Sequence, residues 1–320
     1  MSSRIPVDTA HQGRIAISRP TEQRDEVISV QMKNNGTHLV ATPSPLNAGL
    51  VMRVRSCESF IQRAVRRFRN MGHNTIKFNI QLHDEEPKKP SFLIDAAAKE
   101  DARHLPMIQD FYCLESAGYK ILGDSFQKLP TWNERLPIAI WRGSTTGGEM
   151  LTTGKIKTLN RYRLCIITPD QGGILDARFN TIVQAASSGA KESIEDHLRQ
   201  LDLLRPRMAP NLMALHKWII DIDGNVNSWG LLWKFLSGSC ILRVESKRRQ
   251  WFYNELSPWY THVPISEDLH DLPEKLLWCR RNPRESEEIA QRGQRMAQNV
   301  VARISRDQDR AIDIYAKKYL

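Results

Sequence analysis

Residues 216–273 constrain the fold more than any other stretch of the chain. They read HKWIIDIDGNVNSWGLLWKFLSGSCILRVESKRRQWFYNELSPWYTHVPISEDLHDLP. Residues 218–223 alternate and are rich in β-branched side chains, the pattern of a buried strand. Asp223-Gly224-Asn225 is a turn built from residues that tolerate positive φ. Residues 229–236 then set apolar side chains on a helical stripe, with Asn227 or Ser228 able to cap its start. Gly238-Ser239 breaks that helix, and residues 240–244 form a second short strand. Strand, turn, helix, strand is a βαβ unit, the building block of an open parallel sheet. Ligands of such sheets sit beyond the carboxyl ends of the strands. Residues 223–228 and 243–247 therefore belong at the mouth of a site.

A second block lies upstream, IAIWRGSTTG at residues 138–147, where a short strand runs into Arg142-Gly143-Ser144-Thr145-Thr146-Gly147. Glycines and small hydroxyl residues let backbone N–H groups approach phosphate oxygens, and an arginine adds a bidentate charge. Arg142 has a second reading, as a structural arginine paired with a carboxylate. The run that follows is not a P-loop. The spacing to Gly154-Lys155 is one residue too long, and Ile156 stands where a metal-binding Ser or Thr belongs. No G-x-G-x-x-G follows a strand, which argues against a nicotinamide enzyme.

The two blocks together carry a resemblance. The pattern KW-IIDIDGN-NSW, then SGSCIL, then QWFYNELSPWYTHVPISEDLHDL, resembles glycosyltransferase family 90. That is the capsule-associated group that also includes protein O-glucosyltransferases and bacterial lipopolysaccharide-modifying proteins. IAIWRGSTTG resembles the family's tryptophan-arginine-glycine-serine signature, and the likeness runs over residues 79–301. It implies an α/β chain with two Rossmann-like lobes of the GT-B glycosyltransferase type and a cleft between them. Residues 1–136 are then the acceptor-side lobe, and residues 137–302 the nucleotide-sugar-binding lobe. Residues 303–320 form a helix that returns to the first lobe.

The implied chemistry is an inverting sugar transfer from a nucleotide sugar, a UDP-sugar, to a hydroxyl of a bacterial surface glycan such as lipopolysaccharide or capsule. The donor is a substrate; no cofactor and no catalytic metal are expected. The donor set drawn from the two blocks and their surroundings is Arg142, Gly143, Ser144, Thr145, Arg163, Gly224, Asn227, Ser228 and Ser239. Family members carry an aspartate after a strand comparable to residues 75–82, and it serves as general base. Asp84 is the match, in the loop His83-Asp84-Glu85-Glu86-Pro87. Glu85 and Glu86 stay open as alternatives, and without the resemblance the loop reads as acidic surface. The chain also departs from the family. Relatives often have an arginine where Gly148-Glu149-Met150 stands, so that contact is either missing or supplied by Arg161 or Arg163. O-glucosyltransferases have another where this chain has Gly230. Gln109 replaces the usual proline before Asp110, which reads as a helix N-cap.

Two other functions compete. Asp221-Ile222-Asp223 spells D-x-D, the signature of metal-dependent transferases, although on a strand both aspartates share a face that is otherwise apolar. A net charge of +10 suits phosphate-bearing partners, nucleic acid among them. The tryptophans sit in apolar runs rather than among Lys and Arg, so a nucleic-acid groove is not expected. Residues 59–70 read as a helix bearing Arg63, Arg66, Arg67 and Arg69 on one face, either an anion patch or a solvated surface. Residues 163–168 (RLCIIT) read as a buried strand, and His262 as a packed histidine or a catalytic one. The five cysteines are scattered without a C-x-x-C pair, which suits small core residues in a reducing compartment. No run is long enough for a membrane span, and residues 1–20 lack an apolar signal region. The expectation is a cytoplasmic enzyme, with peripheral contact at the inner face of the membrane.

Overall fold

The structure, a computed structural model, describes residues 16–18, 27–34, 38–41, 48–83, 87–97 and 102–320. The first sheet contains β1 (Ala16–Ser18), β2 (Val27–Met32), β3 (His38–Ala41) and β4 (Ile76–Gln81), in the order β1-β3-β2-β4. β2 runs antiparallel to both β3 and β4, and β1 is parallel to β3. This differs from the Rossmann-like lobe expected from the resemblance. The reason is connection length. Only residues 33–37 separate β2 from β3, whereas a parallel pair needs a crossover of a dozen residues or more.

Helices α1 (Ala48–Ser56) and α2 (Glu58–Asn70) follow β3, and α2 buries Phe60, Ile61, Ala64, Val65 and Phe68 against the sheet. Its basic face is neither an anion patch nor a solvated surface alone. Arg63 and Arg67 each grip a carboxylate with two hydrogen bonds, on Asp309 and Asp313, at 2.6–2.7 Å. A two-residue strand, β5 (Ala96–Ala97), and two short helices, α3 (Phe111–Glu115) and α4 (Lys120–Phe126), complete the N-terminal half. Asp110 does cap α3, accepting the N–H groups of Tyr112 and Cys113. Tyr119 and Phe126 pack with Leu231, Phe235 and Val300 rather than with the first sheet. Packing therefore crosses the division expected at residue 136.

The second sheet is parallel throughout, in the order β11-β9-β8-β6-β7. Its strands are β6 (Leu136–Ser144), β7 (Leu175–Thr181), β8 (His216–Asp221), β9 (Cys240–Val244) and β11 (Val263–Ile265). Central β8 is buried on both faces, as strands in such sheets are. The helices around it are α5 (Thr153–Ile156), α6 (Asn160–Ile166), α7 (Ser188–Gln200), α8 (Pro210–Met213), α9 (Leu231–Leu236), α10 (Leu272–Arg281) and α11 (Pro283–Ala302). Residues 163–168, expected as a strand, fall largely in α6. A short apolar run does not distinguish the two states by periodicity. From β6 the chain steps outward to β7, then returns to the other side of β6 for β8, β9 and β11. The order therefore reverses between β6 and β8.

Two features tie the halves together. β5 pairs antiparallel with β10 (Arg248–Arg249) from the second half. The last helix, α12 (Ile304–Tyr319), lies on the first sheet's side, with Ala311, Ile312 and Tyr315 in its core. Tyr315 stacks on Phe92 at a 4.5 Å centroid separation. Among the described residues no helix is long and apolar enough to cross a membrane.

Close helix packing gives a direct test. A Cβ at Gly293 in α11 would lie 2.6 Å from the Thr261 carbonyl oxygen and 2.8 Å from Phe235 Cδ1. A Cβ at Gly123 in α4 would meet nothing within 4 Å. Gly293→Ala is expected to destabilise by about 1–3 kcal/mol through overpacking. Gly123→Ala should stabilise by up to about 1 kcal/mol through helix propensity. Urea denaturation of both variants checks the pair, and equal effects would refute the packing argument.

Candidate functional site

A cavity of about 650 Å³ opens at the carboxyl ends of β6, β8 and β9. This lies within the size range of small-molecule sites, roughly 300–1,000 Å³. It sits at the reversal between β6 and β8, where the loops leaving the two strands part and leave a crevice. One wall is Thr146-Gly147-Gly148-Glu149, and the opposite wall is residues 222–226. The two loops touch, because the Gly147 N–H donates to Asn225 Oδ1 at 2.8 Å. Gly147 takes φ +117, a left-handed conformation that favours glycine.

Arg161 holds the crevice. Its Nε donates to the Asp223 carbonyl at 2.8 Å and its Nη2 to the Ile222 carbonyl at 3.2 Å, both beyond β8. Its Nη1 donates to the Ser144 carbonyl at 3.1 Å and to Thr146 Oγ1 at 2.5 Å, beyond β6. Burial lowers its pKa to about 10, so it remains a cation at neutral pH. Gly224 is required here by close approach, since a side chain would collide with Thr146 Oγ1 and with Arg161.

Several residues expected at the donor are engaged elsewhere. Arg142 takes its structural reading, donating to the Asp176 carboxylate at 2.5 Å and to the Trp141 and Asp176 carbonyls at 2.8 Å. Gly143 makes room for the Trp141 ring. Thr145 is buried, and its hydroxyl both donates to and accepts from the Val183 backbone. Ser144 contributes its carbonyl to Arg161. Arg163 is exposed on α6 and reaches the Asp268 carbonyl at 3.3 Å. Asn227 is buried and accepts from Gln250 Nε2 at 2.7 Å. Ser239 precedes β9 and donates to the His216 carbonyl, at the amino end of the sheet and away from the cavity. Ser228 accepts from Lys234 at 3.2 Å. Of the expected set, Gly224 lines the cavity directly.

The D-x-D aspartates diverge in role. Asp221 is buried and ion-paired with buried Lys234 at 2.5 Å, so a cation already occupies it. Asp223 lines the cavity and accepts the Ser246 hydroxyl at 2.5 Å. Among the described residues no group of three or more His, Cys, Asp or Glu side chains is arranged to hold a metal. His262 is buried, and burial lowers its pKa to about 4, which keeps it neutral near pH 7. Asp84, Glu85 and Glu86 lie outside the described residues. The strand leading to them is tied to the second half of the chain: Arg53 Nη1 donates to the Leu82 carbonyl at 2.5 Å. The same guanidinium lies 4.8 Å from the Trp229 ring, in the loop between β8 and α9.

Sequence reasoning missed Arg248 and Lys155, which line the cavity together with Lys247 of the segment expected at its mouth. For Lys155 the signal was available, since it follows the turn after the first block.

The profile "Glycosyl transferase family 90" matches residues 124–305, more than half of the chain. An uncharacterized protein, 035R, of Invertebrate iridescent virus 3 is 30% identical over 174 residues, spanning 52% of this chain and 15% of that protein. Protein O-glucosyltransferase 2 of Danio rerio is 26% identical over 169 residues, spanning 52% of this chain and 30% of that protein. The chain thus spans well under two thirds of the length of these relatives. Among solved structures, an Anabaena protein in complex with UDP-glucose superposes with a TM-score of 0.36 and 12% identity, over 52% of this chain and 46% of that one.

The buried cavity carboxylate generates a pH test. Burial, with Asp221 adding to it, raises the Asp223 pKa to about 6 against the opposing pull of the Ser246 hydroxyl. A raised folded-state pKa means that its contribution to stability is complete below about pH 4 and is lost as pH rises through about 6. Asp223→Asn removes this cost. The variant should be more stable than the parent near pH 7.5 by on the order of 2 kcal/mol, with the difference vanishing near pH 4. Thermal melts of both proteins across pH 4–8 check this; a difference independent of pH contradicts it.

Proposed function

The chain belongs to glycosyltransferase family 90, and from that premise we propose that it transfers a sugar from a UDP-sugar to an acceptor hydroxyl with inversion. One observation carries the reading. The two loops that hold the family's sequence signatures meet across one cavity, at the switch point of a parallel sheet, joined by the Gly147–Asn225 hydrogen bond. Such a crevice suits a nucleotide diphosphate, with backbone N–H groups and cations facing the phosphates. Lys155, Lys247 and Arg248 line it.

In the proposed reaction the acceptor oxygen attacks the anomeric carbon as its proton passes to a carboxylate base. The bond from that carbon to the diphosphate oxygen breaks, and UDP leaves as an anion stabilised by the cavity cations. Asp84 is the proposed base. The Arg53 bridge from the Leu82 carbonyl to Trp229 supports this, because it holds the start of that loop against the donor side. The proposed acceptor is a surface glycan of the lipopolysaccharide or capsule type. The relatives named protein O-glucosyltransferases favour a protein hydroxyl as the second reading. Five buried cysteines without disulfides suit a reducing, cytoplasmic setting.

UDP and UDP-sugars should raise the melting temperature with or without EDTA. Ligand at about a hundred times its dissociation constant adds about 2.7 kcal/mol. No shift with any nucleotide sugar sinks the proposal, and a shift abolished by EDTA returns the D-x-D metal reading. Asp84→Asn should lower turnover by about a hundred- to ten-thousandfold while UDP still binds. Near-normal turnover in that variant, with Glu85→Gln or Glu86→Gln inactive, would move the base to a neighbour.

A further inference from the structure

Gly148-Glu149-Met150 and Gly230 bring no cation to the loops around the cavity. Arg142 and Arg161 are engaged within the fold, since Asp176 holds one and strand-end carbonyls hold the other. Of the remaining cations in the cavity wall, Lys155 is exposed. Lys247 is 81% exposed and paired with Glu267 at 2.8 Å. A flexible exposed ammonium holds no fixed geometry and is screened by solvent.

Arg248 is built differently. Its side chain is 23% exposed, and its Nε donates at 2.6 Å to Asp95, whose side chain is 2% exposed. The other Asp95 oxygen accepts Gln81 Nε2 at 3.0 Å, and Gln81 Oε1 accepts the Ile94 N–H at 2.7 Å. The Arg248 backbone is fixed as well. Its N–H donates to Ser246 Oγ at 3.0 Å, and β10 pairs with β5. The carboxylate fixes the plane of the guanidinium, and a group ordered in advance loses less entropy when it meets an anion.

We propose that Arg248 is the phosphate-directed cation of the donor site and that Asp95, contributed by the N-terminal half, is the residue that positions it. The proposal rests on the nucleotide-sugar reading and adds to it a charge that reaches the cavity only when the halves are joined. The competing account is a plain ion pair that fastens β5 to β10.

A phosphate series separates the two: affinities of uridine, UMP and UDP, measured by calorimetry on the full chain. In Arg248→Met, UDP affinity should fall about ten- to a hundredfold, the value of a charge-assisted hydrogen bond, while uridine affinity changes less than about twofold. Arg248→Lys keeps the charge without the fork and should lose less than the methionine variant. Asp95→Asn should weaken UDP by about three- to tenfold and leave uridine unchanged, because the guanidinium loses its anchor. A fastening role predicts lower melting temperatures with the ratio of UDP to uridine affinity unaltered in the variants, and that result overturns the proposal. Wild-type protein that binds none of the three compounds overturns the donor reading, and the proposal with it. Wild-type binding combined with an unaltered ratio overturns the proposal alone.

Discussion

The Arg161 guanidinium is the interaction on which the site depends. A parallel sheet whose order reverses between neighbouring strands leaves carbonyls beyond the strand ends without ladder partners. Arg161 supplies donors to carbonyls on both sides of the crevice, at Ser144, Ile222 and Asp223. It keeps the crevice open to a fixed width and satisfies backbone groups that would otherwise need water. Gly224, Thr146 and Trp141 fit around it: the first has no side chain, the second accepts from it, and the ring of the third lies 5.6 Å away.

A cluster of buried charge then surrounds the cavity floor. Asp221 is neutralised by Lys234, while Asp223 lines the cavity and accepts the Ser246 hydroxyl. Two aspartates two residues apart thus occupy different electrostatic settings. A buried pair such as Asp221–Lys234 is costly to break, by about 3–5 kcal/mol when one partner is removed. That makes it a structural support for the loop that carries Asp223, Gly224 and Asn225.

Much of the second sheet was legible in the sequence. The strand, turn and helix of residues 216–244 follow from β-branched alternation, an Asp-Gly-Asn turn and an apolar stripe. The site was less legible, and α6 shows why. The strand read at residues 163–168 left Arg161 outside it; on the helix Asn160–Ile166, two residues apart means about 200° of rotation. Arg161 faces the crevice and Arg163 faces solvent because the segment is helical. Strand direction settles Ser239, since ligands gather at carboxyl ends and Ser239 lies at an amino end. Arg248 was not legible at all, because its partner Asp95 lies 153 residues away in sequence. The antiparallel pairing of the first sheet follows from the short link between β2 and β3, a signal in the sequence that the family resemblance overrode.

The return of α12 to the first sheet has a consequence for the order of events on the ribosome. Asp309 pairs with Arg63 across 246 residues, and Tyr315 covers Phe92 in the N-terminal core. Phe92, Arg63 and Arg67 of the first half therefore gain these partners only after residues 309–315 have emerged. The parallel sheet, whose own strands all precede that helix, can assemble while the earlier half still waits. The face of the N-terminal half that α12 covers is thus the surface to be shielded until that helix has been made.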